Sequence, residues 1–168
     1  MKKAHVYKIG DAVFYPSAGV GNVESIEEIF LAGFSDTCYV IRIHETDMVV
    51  KVPRSNMERS GIRPLLETRR VKELYKVLKE KPSRRVTGGN WTERCKDLER
   101  RIHRGSPMDL GAVVRDLLLW KSQTGLSFEE AMLLETASAY LANELAAIQG
   151  VSREAAVGNI REQVGVAA

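Results

Sequence analysis

The hydrophobic period of this chain changes once, just after "SGIRP" (60–64), and that change limits what it can fold into. Before it lie short runs rich in Val, Ile, Tyr and Phe: "DAVFYP", "SAGVGNVESIEEIF", "TCYVIRIH" and "MVVKVP". Gly, Pro, Ser and Asp separate them, which is the pattern of strands and turns. In "TCYVIRIH" the residues Tyr39, Ile41 and Ile43 share one face, and Cys38, Val40 and Arg42 the other. Hairpin turns are expected at "GFSD" (33–36) and "ETD" (45–47), and a tight bend or bulge at Gly19 and Gly21. Four or five short antiparallel strands make a small, strongly bent sheet or barrel.

After the change the period is helical. Leu65, Leu66, Val71, Leu74, Val77 and Leu78 form an apolar stripe at about i, i+3, i+4. "KPSRRVTGG" interrupts it as a loop. A second helix starts near Asn90 or Trp91, with Asn90 as its N-cap, and stops at Gly105. A third starts near Asp109 and carries Val113, Val114, Leu117, Leu118 and Trp120; Trp120 ends the stripe and reads as core or partly buried, with a second DNA wedge as the lesser reading. A fourth opens on a capping box, Ser127 to Glu130, and runs to Gly150. A short fifth follows Ser152. The expected class is therefore α+β in two domains, an antiparallel β-module over 1–63 and an all-α bundle of about five helices over 64–168.

Charge is distributed unevenly. Residues 51–104 carry 17 Lys/Arg against 7 Asp/Glu, while both flanking stretches are net acidic. A central basic block is the footprint of an anionic partner, and nucleic acid is the commonest one. Part of it, "ETRRVKELYKVLKEK", is also compatible with a solvated helix face. No apolar run reaches membrane-spanning length, and the N-terminus lacks the apolar segment of a signal peptide, so a cytoplasmic protein is expected. Cys38 and Cys95 form neither a disulfide framework nor a CxxC, and His5, His44 and His103 lack metal-ligand spacing. Nucleotide-binding and hydrolase signatures are absent, so the chain reads as a non-enzyme without metal or cofactor.

The stretch "GGNWTERCKDLERRIHRG" (88–105) holds the feature that needs explaining: Trp91 at the first turn of a very basic helix. Two readings stay open on the residues alone. Trp91 can staple the preceding loop to its helix. It can instead wedge into a minor groove at a distorted base step, while Arg94, Lys96, Arg100 and Arg101 hold phosphates.

"YKIGDAVFYPSAGVGNVESIEE", "YVIRIHETDMVVKVP" and "SGIRP" together resemble the N-terminal module of the CarD/CdnL family of bacterial transcription factors. "NW" before a basic helix, "VVRDL", and "GLS" before "EE" resemble that family's C-terminal domain. The resemblance runs over nearly the whole chain in order; a similar first module also occurs in transcription-repair coupling factors. It implies a Tudor-like module that docks on the protrusion and lobe of the RNA polymerase β subunit, partly by strand addition. It implies a helical domain that meets double-stranded promoter DNA at the upstream edge of the −10 element. There the family's tryptophan wedges into the minor groove and favours the open complex. Carried over, Trp91 is the wedge, Asn90 its cap, and Lys96 and Arg94 contact DNA. Lys51, with Val49 and Val50 beside it, lies in the polymerase-contacting strand. Two positions depart from relatives: Ile29 stands where some have a polymerase-contacting arginine, and Glu93 where some have a basic residue. A monomer is the default, associated with the nucleoid through polymerase. The rival reading is a protein-interaction adaptor with Trp91 buried.

Overall fold

The computed structural model describes residues 5–83 and 91–167 of the 168-residue chain. They form two compact units, 1–65 and 66–168. The first is a five-stranded antiparallel sheet: β1 (Ala12–Tyr15), β2 (Gly19–Leu31), β3 (Phe34–Ile43), β4 (Val49–Pro53) and β5 (Arg63–Pro64), in the order β4-β3-β2-β1-β5. One helical turn, α1 (Met57–Ser60), lies between β4 and β5. Tyr39, Ile41 and Ile43 point into one core with Tyr7, Val13, Val23, Val52 and Met57. Cys38 and Val40, on the other face, are buried as well. β3 is an inner strand, and the turn over Arg54–Asn56 packs on it, so the expected alternation is masked at its centre.

Glycine does two different jobs in β2. Gly19 has φ +98°, which lets the chain turn back from β1. Gly21 is extended, but an added Cβ would sit 2.6 Å from the Arg42 carbonyl oxygen on β3. Of the tight bend or bulge expected at these glycines, the bend is at Gly19, and the β-bulge lies between Val23 and Ser25, where Glu24 is extra. Glu24 reaches Arg42 at 3.0 Å, and Arg42 also holds Asp47 at 3.1 Å. The first hairpin turn, over 31–34, falls two residues earlier than expected. Ala32 and Gly33 both have positive φ, as a two-residue I′ turn requires, and Phe34–Asp36 join the strand.

The second unit is helical: α2 (Val71–Lys79), α3 (Trp91–Arg104), α4 (Pro107–Thr124), α5 (Phe128–Gln149) and α6 (Arg153–Val164). Leu65 and Leu66 precede α2 rather than belonging to it, yet Leu66 is buried. Its N–H donates to Glu144 Oε1 at 2.9 Å. α4 starts two residues before Asp109, at Pro107, because proline at the first helical position loses no hydrogen bond. The core is made by Leu110, Val113, Val114 and Leu117 of α4 with Ala137, Leu141 and Leu145 of α5. α2 crosses α4 at Gly111, whose absent Cβ leaves room for Leu74 Cδ1. No helix among the described residues is long and apolar enough to cross a membrane.

Candidate nucleic-acid interface

α3 is amphipathic. Cys95, Leu98 and Ile102 are buried at i, i+3 and i+7, and this stripe fixes how the helix lies on the bundle. The opposite face presents Lys96, Arg100 and Arg104, all exposed, one turn apart. Arg100 is tied only loosely to Asp97, at 3.5 Å, and Lys96 has no ion pair among the described residues. Arg101 is half-buried at the edge of this face. Glu93, Asp97 and Glu99 are exposed among the cations and moderate their field. Trp91 is the first residue of α3. Its side chain, and Asn90 as a whole, lie outside the described residues.

Arg94 differs from its neighbours. Its Nη2 meets Glu130 Oε1 at 2.7 Å, with the two side chains 12 % and 0 % exposed. Glu130 Oε2 also accepts the Ser127 N–H at 2.9 Å, while Ser127 Oγ accepts the Glu130 N–H at 3.2 Å. One carboxylate thus closes the capping box of α5 and locks the first turn of α3 against it. The capping box was visible in the sequence. The ion pair across 36 residues was not, since no local pattern marks it.

A second network lies where α2 ends. Arg115 and Asp116, adjacent on α4, are both buried. Arg115 Nη1 donates to the Val77 carbonyl at 3.0 Å and to Glu80 Oε2 at 3.2 Å. Asp116 Oδ1 accepts the Ser83 N–H at 3.1 Å and Arg115 Nε at 2.9 Å. Trp120 Nε1 donates to the Ser83 carbonyl at 3.3 Å. Residues 77–83, which lead toward the basic helix, are thereby fastened to α4. The two halves of "VVRDL" do different work: the valines fill the core and Arg-Asp clasps the backbone of another element. Trp120 is buried, as its place in the stripe indicates.

In the sheet, Lys51 is exposed on β4, an edge strand, and reaches Glu27 Oε2 at 3.2 Å. Val49 is exposed beside it and Val50 is half-buried. Ile29 is half-buried on β2 opposite Asp36, beyond the end of β4, so the structure brings three of these four residues together and leaves Ile29 apart. Burial raises the pKa of both cysteine thiols, which keeps them protonated and poor nucleophiles.

Residues 73–161 match the family model "CarD, C-terminal domain", and residues 7–66 match "CarD-like/TRCF RID domain". The chain belongs to the CarD family. It is 31% identical over 149 residues to YdeB of Bacillus subtilis (strain 168), whose name marks it as a candidate transcription factor. That alignment covers 89% of this chain and 96% of YdeB. The chain is also similar to the solution structure of the 72-residue N-terminal domain of Myxococcus xanthus CarD. There the identity is 31%, over 38% of this chain and 89% of that one, with a TM-score of 0.31. As a CarD-family protein the chain is a transcription regulator, a kind that is not enzymatic.

Proposed function

We propose that this CarD-family protein binds the RNA polymerase β subunit through its sheet and steadies the promoter open complex through α3, without reading base edges. The observation that carries this reading is the outward face of α3. Lys96, Arg100 and Arg104 lie in one exposed row, opposite the buried stripe, on the helix whose first described residue is Trp91. Such a row follows a phosphate backbone, and its contacts position the helix without carrying sequence information. Arg101 flanks the row. Arg94 contributes by holding the helix start on α5 rather than by reaching outward. The wedge role of Trp91 and the cap role of Asn90 rest on family resemblance. A side chain inserted at a distorted step favours open over closed DNA by its difference in affinity for the two.

The polymerase side rests on β4. Its outer backbone groups have no strand partner among the described residues, which suits strand addition, and Val49 and Lys51 stand beside them. The protein would act as a monomer in the cytoplasm, brought to the nucleoid by polymerase. The rival reading, an adaptor with Trp91 packed against protein, draws on sequence register. Trp91 precedes the buried Cys95, Leu98 and Ile102 at i, i+4, i+7 and i+11.

The lifetime of an open complex under competitor DNA decides between the two. The protein is expected to lengthen it severalfold, and Trp91→Ala to lose nearly all of that gain while melting within a few degrees of wild type. Equal lifetimes for both would reject the wedge, and a large loss of stability in Trp91→Ala would favour the adaptor. Lys51→Glu is expected to weaken polymerase binding about fivefold, the scale of an exposed ion pair turned repulsive. DNA binding should not change in that variant. Undiminished affinity for polymerase would remove Lys51 from the interface.

A further inference from the structure

The last third of the chain is acidic: residues 105–168 hold 4 Lys/Arg against 8 Asp/Glu. Yet three of those four cations, Lys121, Arg153 and Arg161, line one cavity of about 380 Å³, and only one of the eight acids, Glu135, does. The fourth cation, Arg115, is the buried clasp on α2. The cavity opens between α4, α5 and α6, and none of its described lining residues comes from α3. Its apolar lining includes Leu118, Leu134, Val157 and Ile160. A smaller space of about 280 Å³ shares Leu118, Lys121 and Arg161 with it, so this pair of cations stands where the two meet. Lys121 has no ion pair among the described residues, and Arg161 donates to the Ala167 carbonyl at 3.3 Å rather than to a carboxylate.

From this we propose that the cavity binds a small organic anion, a carboxylate or sulfonate on a compact apolar body. Charge selects the sign: positive side chains are gathered here against the trend of the surrounding sequence, and Glu135 is the one acidic side chain among the described lining residues. The lining selects the body: aliphatic groups strip water from an apolar ring or branched chain while the anionic group stays among the cations at the mouth. The size suits such a molecule, since small-ligand cavities start near 300 Å³. The site is separate from the DNA reading, because none of its described lining residues belongs to α3.

Titration of the full-length protein with 8-anilinonaphthalene-1-sulfonate, read by fluorescence, tests this. One saturable site is expected, with Lys121→Glu weakening it about tenfold and Val157→Trp, which puts a bulky ring into the lining, abolishing it. The uncharged N-phenyl-1-naphthylamine should bind at least tenfold more weakly than the sulfonate. Lys121 is exposed, so its variant keeps the fold; if Val157→Trp melts early, Ala139→Leu replaces it. Wild-type affinity in both the charge and the filling variants would overturn the proposal. Equal binding of the uncharged dye, or no saturation below about 1 mM, would also overturn it and leave the groove to a macromolecular partner.

Discussion

Glu130→Ala is expected to destabilise the helical unit by about 3–5 kcal/mol, the cost of leaving a largely buried cation without its anion. Arg94 is 12 % exposed, so water replaces little of what the carboxylate supplied. The substitution also removes the side chain that accepts the Ser127 N–H. In a unit of this size each kcal/mol lowers Tm by about 4–8 °C, so a fall of at least 12 °C should be seen, with the urea m-value unchanged. Ser127→Ala is the control, because it removes the cap and spares the ion pair, for about 1 kcal/mol. Should Glu130→Ala cost no more than Ser127→Ala, the pair with Arg94 contributes nothing. The double variant Arg94→Met with Glu130→Leu should recover most of the loss, since two apolar side chains leave no buried charge. It should not recover open-complex stabilisation if the ion pair sets where α3 begins.

The second large effect is expected at Asp116. Asp116→Ala strips the charge partner from Arg115 and the acceptor from the Ser83 N–H at one stroke. Arg115 keeps Glu80 and the Val77 carbonyl, so the cost should fall near 3 kcal/mol, the lower end for a broken buried pair. Trp120→Phe removes the bond to the Ser83 carbonyl and should cost about 1 kcal/mol beyond any change in packing. Amide exchange at Ser83 gives the more specific reading. Protection of that N–H should vanish in Asp116→Ala and persist in Trp120→Phe. Persistence in both would mean that α4 does not hold the chain there.

Much of the architecture was legible in the sequence because it is local. The shift from short β-runs to a period of 3.6 shows in a window of a dozen residues, and it marked two units and their classes. Capping signals placed the start of α5 correctly, and Trp91 lies in the basic helix as expected. Errors of a residue or two arose where one residue type has two uses. The glycines of "AGVGNV" suggested a tight bend or a bulge; Gly19 does serve a turn, but Gly21 serves a close approach to β3, and the bulge formed at Glu24.

The basic helix shows where local information ends. Arg94, Arg100 and Arg101 look alike in the sequence, four cations of one helix with Lys96. Which faces outward depends on which side of α3 is buried and on what lies opposite, and Glu130 answers that for Arg94 from 36 residues away. The same holds for Arg115-Asp116, polar residues inside an apolar stripe, whose backbone partners belong to the end of α2. Three cations scattered over 121–161 converge on one cavity only once α4, α5 and α6 pack. The sequence by itself determined the elements, their order and the family, because period, caps and motifs are properties of neighbouring residues. Only the tertiary structure decided which charges are free to meet a partner, because desolvation and pairing depend on what the fold brings within a few ångströms.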